Sequence, residues 1–62
     1  MTNEQKALIY EECLRESDIL QRENSKLKSE YVMDMPPNIQ EIINKNNLRI
    51  DFLVNKLENL FR

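Results

Sequence analysis

The 62-residue chain contains no glycine and no histidine, one cysteine, two prolines and few aromatic side chains. Without glycine there is no loop whose backbone can close around a phosphate. Without histidine, the Glu-x-x-His pairs that hold metals inside helical bundles are missing. One thiolate with scattered carboxylates also matches no structural zinc pattern. Cys13 cannot form a disulfide within the chain, and a lone thiol suits a reducing, cytoplasmic setting. No apolar run approaches the roughly 20 residues that span a bilayer, and no basic-then-apolar signal segment opens the chain. We therefore expect no enzyme, no cofactor, no metal and no membrane partner.

Charge excludes less. The net charge is −2. Residues 1–34 carry five basic and eight acidic side chains (−3), and residues 35–62 carry four and three (+1). Neither half is basic enough to mark a nucleic-acid binder.

What is present is helix. Abundant Glu, Lys, Leu, Asn and Ile favours it, and the only forced interruption is Asp34-Met35-Pro36-Pro37. A residue that precedes proline is pushed out of the α region, which applies to both Met35 and Pro36. Pro37 itself suits the first position of a new helix, where its missing N–H costs nothing. Gln40 and Glu41 are then expected in that helix's first turn, with the charge at the positive dipole end. The reading is one all-α domain over residues 1–62: helix over about 3–33, hinge over about 34–36, helix over about 37–61. Thr2-Asn3-Glu4-Gln5 has the form of a capping box at the start, and Arg62 suits the negative pole at the end. Tyr31, Val32, Met33 and Met35 form an apolar cluster placed to cover the end of a core.

Both segments carry a heptad stripe. In the first, Tyr10, Ser17, Asn24 and Tyr31 are a positions and Cys13, Leu20 and Leu27 are d positions. In the second, Ile43, Ile50 and Leu57 are a, with Ile39, Asn46, Leu53 and Leu60 at d. On the outer surface Glu11 precedes Arg15, and Asp18 precedes Arg22, by the four residues that favour ion pairs. If the hinge makes the helices antiparallel, one register joins the stripes along their length, with facing residue numbers summing to 70. Asn24 then meets Asn46. A buried amide opposite an apolar residue costs about 1–3 kcal/mol, whereas two amides satisfy each other. Asn24 and Asn46 are therefore expected to lock the register. A parallel zipper built on Leu20, Asn24 and Leu27 stays open as an alternative, with Glu23 meeting Lys28 of another chain and Cys13 facing its own copy.

A two-helix hairpin can cover only one face of each helix. Leu8, Ile9, Leu14 and Ile19 on the first helix, and Ile42, Leu48, Phe52, Val54 and Phe61 on the second, have no place in its seam. A chain this short also buries little of its surface and calls for a staple. These residues are the expected oligomer or partner interface, and a homodimer closing into a four-helix bundle is the expected assembly. Glu12, Glu16, Glu23 and Glu30 read as a solvated acidic face, Cys13 as a packing residue, and Tyr10 and Tyr31 as anchors with wet hydroxyls.

The expected function is a small non-enzymatic protein–protein interaction module, an adaptor, inhibitor or assembly factor acting as a homo-oligomer. Its Asn-, Lys- and Ile-rich composition suits a low-GC bacterium or its phage. The alternative rests on Lys45, Arg49 and Lys56, which share one strip of the second helix beside Phe52 and Asn59. With a similar length, a hairpin layout and a helix-starting Met1-Thr2, the chain resembles in architecture the plasmid copy-control Rop family. That resemblance implies an RNA- or DNA-binding helical-hairpin dimer. No residue roles are carried over from it.

Overall fold

The computed structural model describes residues 1–61. The chain is an antiparallel hairpin of two helices, α1 (Asn3–Glu30) and α2 (Pro37–Leu60), packed along their length. Neither helix is long and apolar enough to cross a membrane. The expected role of Arg62 lies outside the described residues.

Local signals start α1. The Gln5 amide donates to Thr2 Oγ1 at 3.1 Å, and the Thr2 amide donates to Gln5 Oε1 at 2.9 Å. This reciprocal cap satisfies two of the amides that a helix start leaves unpaired. α2 has no side-chain cap. It begins with Pro37 after an extended Pro36 (φ −61°, ψ 148°), so its start is set by proline geometry alone. Glu41 falls beyond the first turn, which holds no acid. Contrary to expectation it serves no dipole role there, and instead pairs with Lys45 at 3.6 Å.

The first helix ends earlier than its pattern suggests. Its last residue is Glu30, and Tyr31 forms the cap at φ −114°, ψ 33° while its amide donates to Leu27 O at 3.0 Å. Two causes combine. Packed helix axes lie about 8–10 Å apart, and the chain must cross that gap with Met35 and Pro36 held out of the α region. Val32 and Met33 are also 78% and 95% exposed, so another helical turn would bury nothing. The expected hinge cluster is accordingly cut down. Tyr31, Met35 and Pro36 are half-buried over the end of the seam, while Val32 and Met33 point away from it.

The seam is thin. Its buried residues are Cys13, Ser17 and Asn24 from α1 and Ile39, Ile43 and Leu53 from α2. In the register that joins Asn24 to Asn46, Ser17 faces Leu53 and Cys13 faces Leu57, small against large as filling the space between helices favours, while Ile43 faces Leu27 and Ile39 faces Tyr31. Leu20, Leu27, Ile50, Leu57 and Leu60 are half-buried around them. The molecule measures 47 × 14 × 13 Å with a radius of gyration of 14.5 Å, where a compact domain of this length would have about 11 Å. The rod shape keeps much of every helix at the surface. On that surface Asp18 and Arg22 pair at 3.0 Å. Among the described residues no ion pair joins Glu11 to Arg15, and such exposed pairs are worth only a few tenths of a kcal/mol.

Candidate interaction surfaces

The middle of the seam is polar and fully bonded. Asn24 is 6% exposed. Its Oδ1 accepts from Asn46 Nδ2 at 2.9 Å, and its Nδ2 donates to Asn47 Oδ1 at 2.9 Å. Asn46 Nδ2 places its second hydrogen on Glu23 Oε1 at 3.0 Å. No buried side-chain nitrogen or oxygen among the described residues lacks a partner. The stripe pattern contained the Asn24–Asn46 contact. It did not contain Asn47 and Glu23, whose e and g positions flank the stripe and whose reach depends on the distance between the helices.

Continuing the heptad lettering divides the rest of the surface into two flanks. On one lie the g and c positions: Ile9, Glu12, Glu16, Ile19, Glu23, Lys26 and Glu30 of α1, and Ile42, Lys45, Arg49, Phe52 and Lys56 of α2. A forked ion pair bridges the helices here, with Arg49 Nε on Glu16 Oε2 and Arg49 Nη2 on Glu16 Oε1 at 3.2 Å. The Arg49 guanidinium also lies 5.0 Å from the centre of the Phe52 ring, in cation–π range. The hydrogen bond from Arg49, helped by the charges of Arg49 and Lys56 against some desolvation, holds the Glu16 carboxyl below its ordinary range. The same hydrogen bond raises Arg49. Both residues occupy g positions on the same flank, but their numbers sum to 65 and not 70, so the pair reaches diagonally across the seam and the a/d stripes alone did not show it.

The opposite flank collects the e and b positions. Leu14, Val54 and Phe61 are 44%, 41% and 62% exposed, and the Tyr10 and Phe61 rings meet edge to face at 5.8 Å and 73°. The charged b positions around them are Glu4, Glu11, Asp18, Asp51 and Glu58, all acidic.

The apolar residues left out of the seam are found outside it. Leu8, Ile19, Ile42, Leu48 and Phe52 are 60%, 57%, 39%, 71% and 53% exposed, and Ile9 is half-buried beside Leu8 in a shallow groove that Met1, Gln5 and Glu12 complete. They do not form one patch. Ile9, Ile19, Ile42 and Phe52 share the g/c flank, Leu8 and Leu48 lie on the outermost f positions, and Leu14, Val54 and Phe61 occupy the other side. Cys13 is 4% exposed, inside the seam.

The cations of the nucleic-acid alternative are largely engaged. Arg49 is bonded to Glu16, Lys45 pairs with Glu41, and Lys56 lies close enough to Glu16 for its charge to act there. No protein-family model matches this chain, and no curated protein or solved structure does so.

Proposed function

We propose that the protein is a small non-enzymatic interaction module, an adaptor, inhibitor or assembly factor, which works as a homo-oligomer and docks on a protein partner. The supporting observation is its surface. The chain presents 5017 Å² of accessible area, whereas a compact monomer of 7.5 kDa presents about 4250 Å². The excess is close to the ~800 Å² that each partner contributes to a stable interface of ordinary size. It includes eight large aliphatic or aromatic side chains on the two flanks and outer faces, each at least 39% exposed.

Light scattering during size exclusion at micromolar concentration tests the first half of this reading: a mass of at least twice 7.5 kDa is expected, and a monomer would refute it. The docking half is tested by comparing the proteins recovered by the tagged chain and by a tagged Leu48→Ala/Phe52→Ala/Leu14→Ala/Phe61→Ala variant that keeps its helicity. The same recovery from both would refute an apolar docking surface. A role as an RNA- or DNA-binding dimer is less well supported, because a phosphate would have to displace carboxylates from Arg49 and Lys45. Strong, salt-sensitive retention on heparin would reverse that preference.

A further inference from the structure

We propose that the g/c flank, with its cross-helix Glu16–Arg49 pair, is the face covered by a second copy of this chain, and that the two-fold axis of the dimer runs along the helices. The inference rests on the homo-oligomer reading above and deepens it by naming the surface and the symmetry.

Charge selects the flank. At g and c positions α1 carries Glu12, Glu16, Glu23 and Glu30 against one cation, Lys26, whereas α2 carries Lys45, Arg49 and Lys56 and no acid. The flank is thus an acidic strip lying beside a basic strip, which a second copy can match. The e/b flank carries acids on both helices, Glu4, Glu11 and Asp18 on α1 and Asp51 and Glu58 on α2, against one cation, Lys28, so a two-fold arrangement there sets mostly like charges against each other.

Charge also selects the symmetry. An axis perpendicular to the helices would stack α1 on α1 and α2 on α2, acid on acid and base on base. An axis parallel to them stacks α1 of one copy on α2 of the other, antiparallel and without a shift in height. Facing positions then follow the hairpin's own register, in which Asn24 meets Asn46. Glu12 of the second copy arrives near Lys56 and its Glu23 near Lys45, while its Lys26, which comes to the height of residue 44, stays paired with its own Glu30 at 4.0 Å. Between them its Ile19 arrives over Phe52, so an apolar contact is bracketed by two ion pairs and, by symmetry, the set occurs twice. The centre of the flank tolerates being covered because Glu16 and Arg49 already satisfy one another through two hydrogen bonds, so no unpaired charge is stranded. The surface excess estimated above matches what each copy must bury. Closure in this way leaves the Leu14, Val54 and Phe61 flank free.

The test is charge reversal with rescue on the full chain. Wild type, Glu12→Lys/Glu23→Lys, Lys45→Glu/Lys56→Glu, the mixture of those two variants, and the quadruple variant are weighed by light scattering, with circular dichroism confirming the hairpin in each. Dimeric wild type, a tenfold or larger loss of dimer affinity in each double variant, and recovery of the dimer in both the mixture and the quadruple variant are expected. A wild type that is monomeric overturns the homo-oligomer reading itself. Dimeric wild type with no effect of either reversal leaves that reading standing and overturns this flank. Dimers lost in the double variants and not recovered by the mixture or the quadruple variant overturn the parallel axis.

Discussion

The two helices of the hairpin are held by different means. α1 starts with a reciprocal Thr2–Gln5 cap and brings Cys13, Ser17 and Asn24 to the seam; α2 has no side-chain cap, carries six asparagines between Asn38 and Asn59, and brings Ile39, Ile43 and Leu53. Asparagine is a poor helix former, so α2 depends on the burial of its aliphatic stripe. α1 depends more on its own ends and surface, and two of its buried groups, Cys13 and Ser17, are small where the facing α2 positions, Leu57 and Leu53, are large. The difference shows that a seam only a few residues wide can still be specific when one side supplies volume and the other supplies space and a hydrogen-bonding centre.

The asymmetry can be broken from either side. The largest effect is expected for Leu53→Ala or Ile43→Ala on α2, at about 3 kcal/mol each by loss of buried area and creation of a cavity. In a chain this small that is most of the stability, so urea titration followed by circular dichroism should find the variants largely unfolded. On α1, Asn24→Leu removes the hydrogen bonds to Asn46 and Asn47, of which Asn46 keeps Glu23 and Asn47 keeps solvent, and should cost about 0.5–1.5 kcal/mol, while Asn24→Leu/Asn46→Leu should cost less than the sum of the two single changes. A double-mutant cycle with no coupling would show that the amides do not set the register. Thr2→Ala should cost about 1 kcal/mol through the lost cap. The same local origin of helicity should appear in separate peptides, with 1–31 more helical than 36–61 by circular dichroism; the reverse order would end the distinction between locally and tertiarily held helices.

The smallest effect concerns Glu16. Its carboxyl titrates lower in the folded chain than in the unfolded one, so its pairing contributes stability above the unfolded pKa, and that contribution disappears as pH falls through the lower, folded pKa. The pair is exposed and its effect is screened by solvent. A slight fall in the urea midpoint is expected between neutral pH and pH ~3, reduced in Glu16→Gln. An equal fall in wild type and variant would assign the pH dependence to other carboxylates.

Much of the hairpin was legible because its signals are periodic. The a/d stripes place Asn24 opposite Asn46, and the prolines mark where the chain must turn. The end of α1 was not legible. Tyr31, Val32 and Met33 continue a helical, apolar pattern, yet the turn leaves Val32 and Met33 nothing to pack on. The Glu41 dipole role failed for a similar reason, since a side chain one turn further along finds Lys45 instead. Sorting of the surplus apolar residues onto separate flanks follows from the same lettering, but only the cross-helix contacts, Glu16–Arg49 on one side and Tyr10–Phe61 on the other, show which strips of the two helices lie together.

By itself the sequence determined the helices and the place of the turn, through local sterics, and, once the reversal is antiparallel, the pairing of stripes, through a repeat that one alignment satisfies; it left the antiparallel reversal itself open. The tertiary structure decided where α1 stops, that Asn47 and Glu23 complete the amide cluster, and that an acidic strip and a basic strip lie side by side on one flank. These depend on the distance and rotation between two helices, and no property of either segment alone contains that geometry.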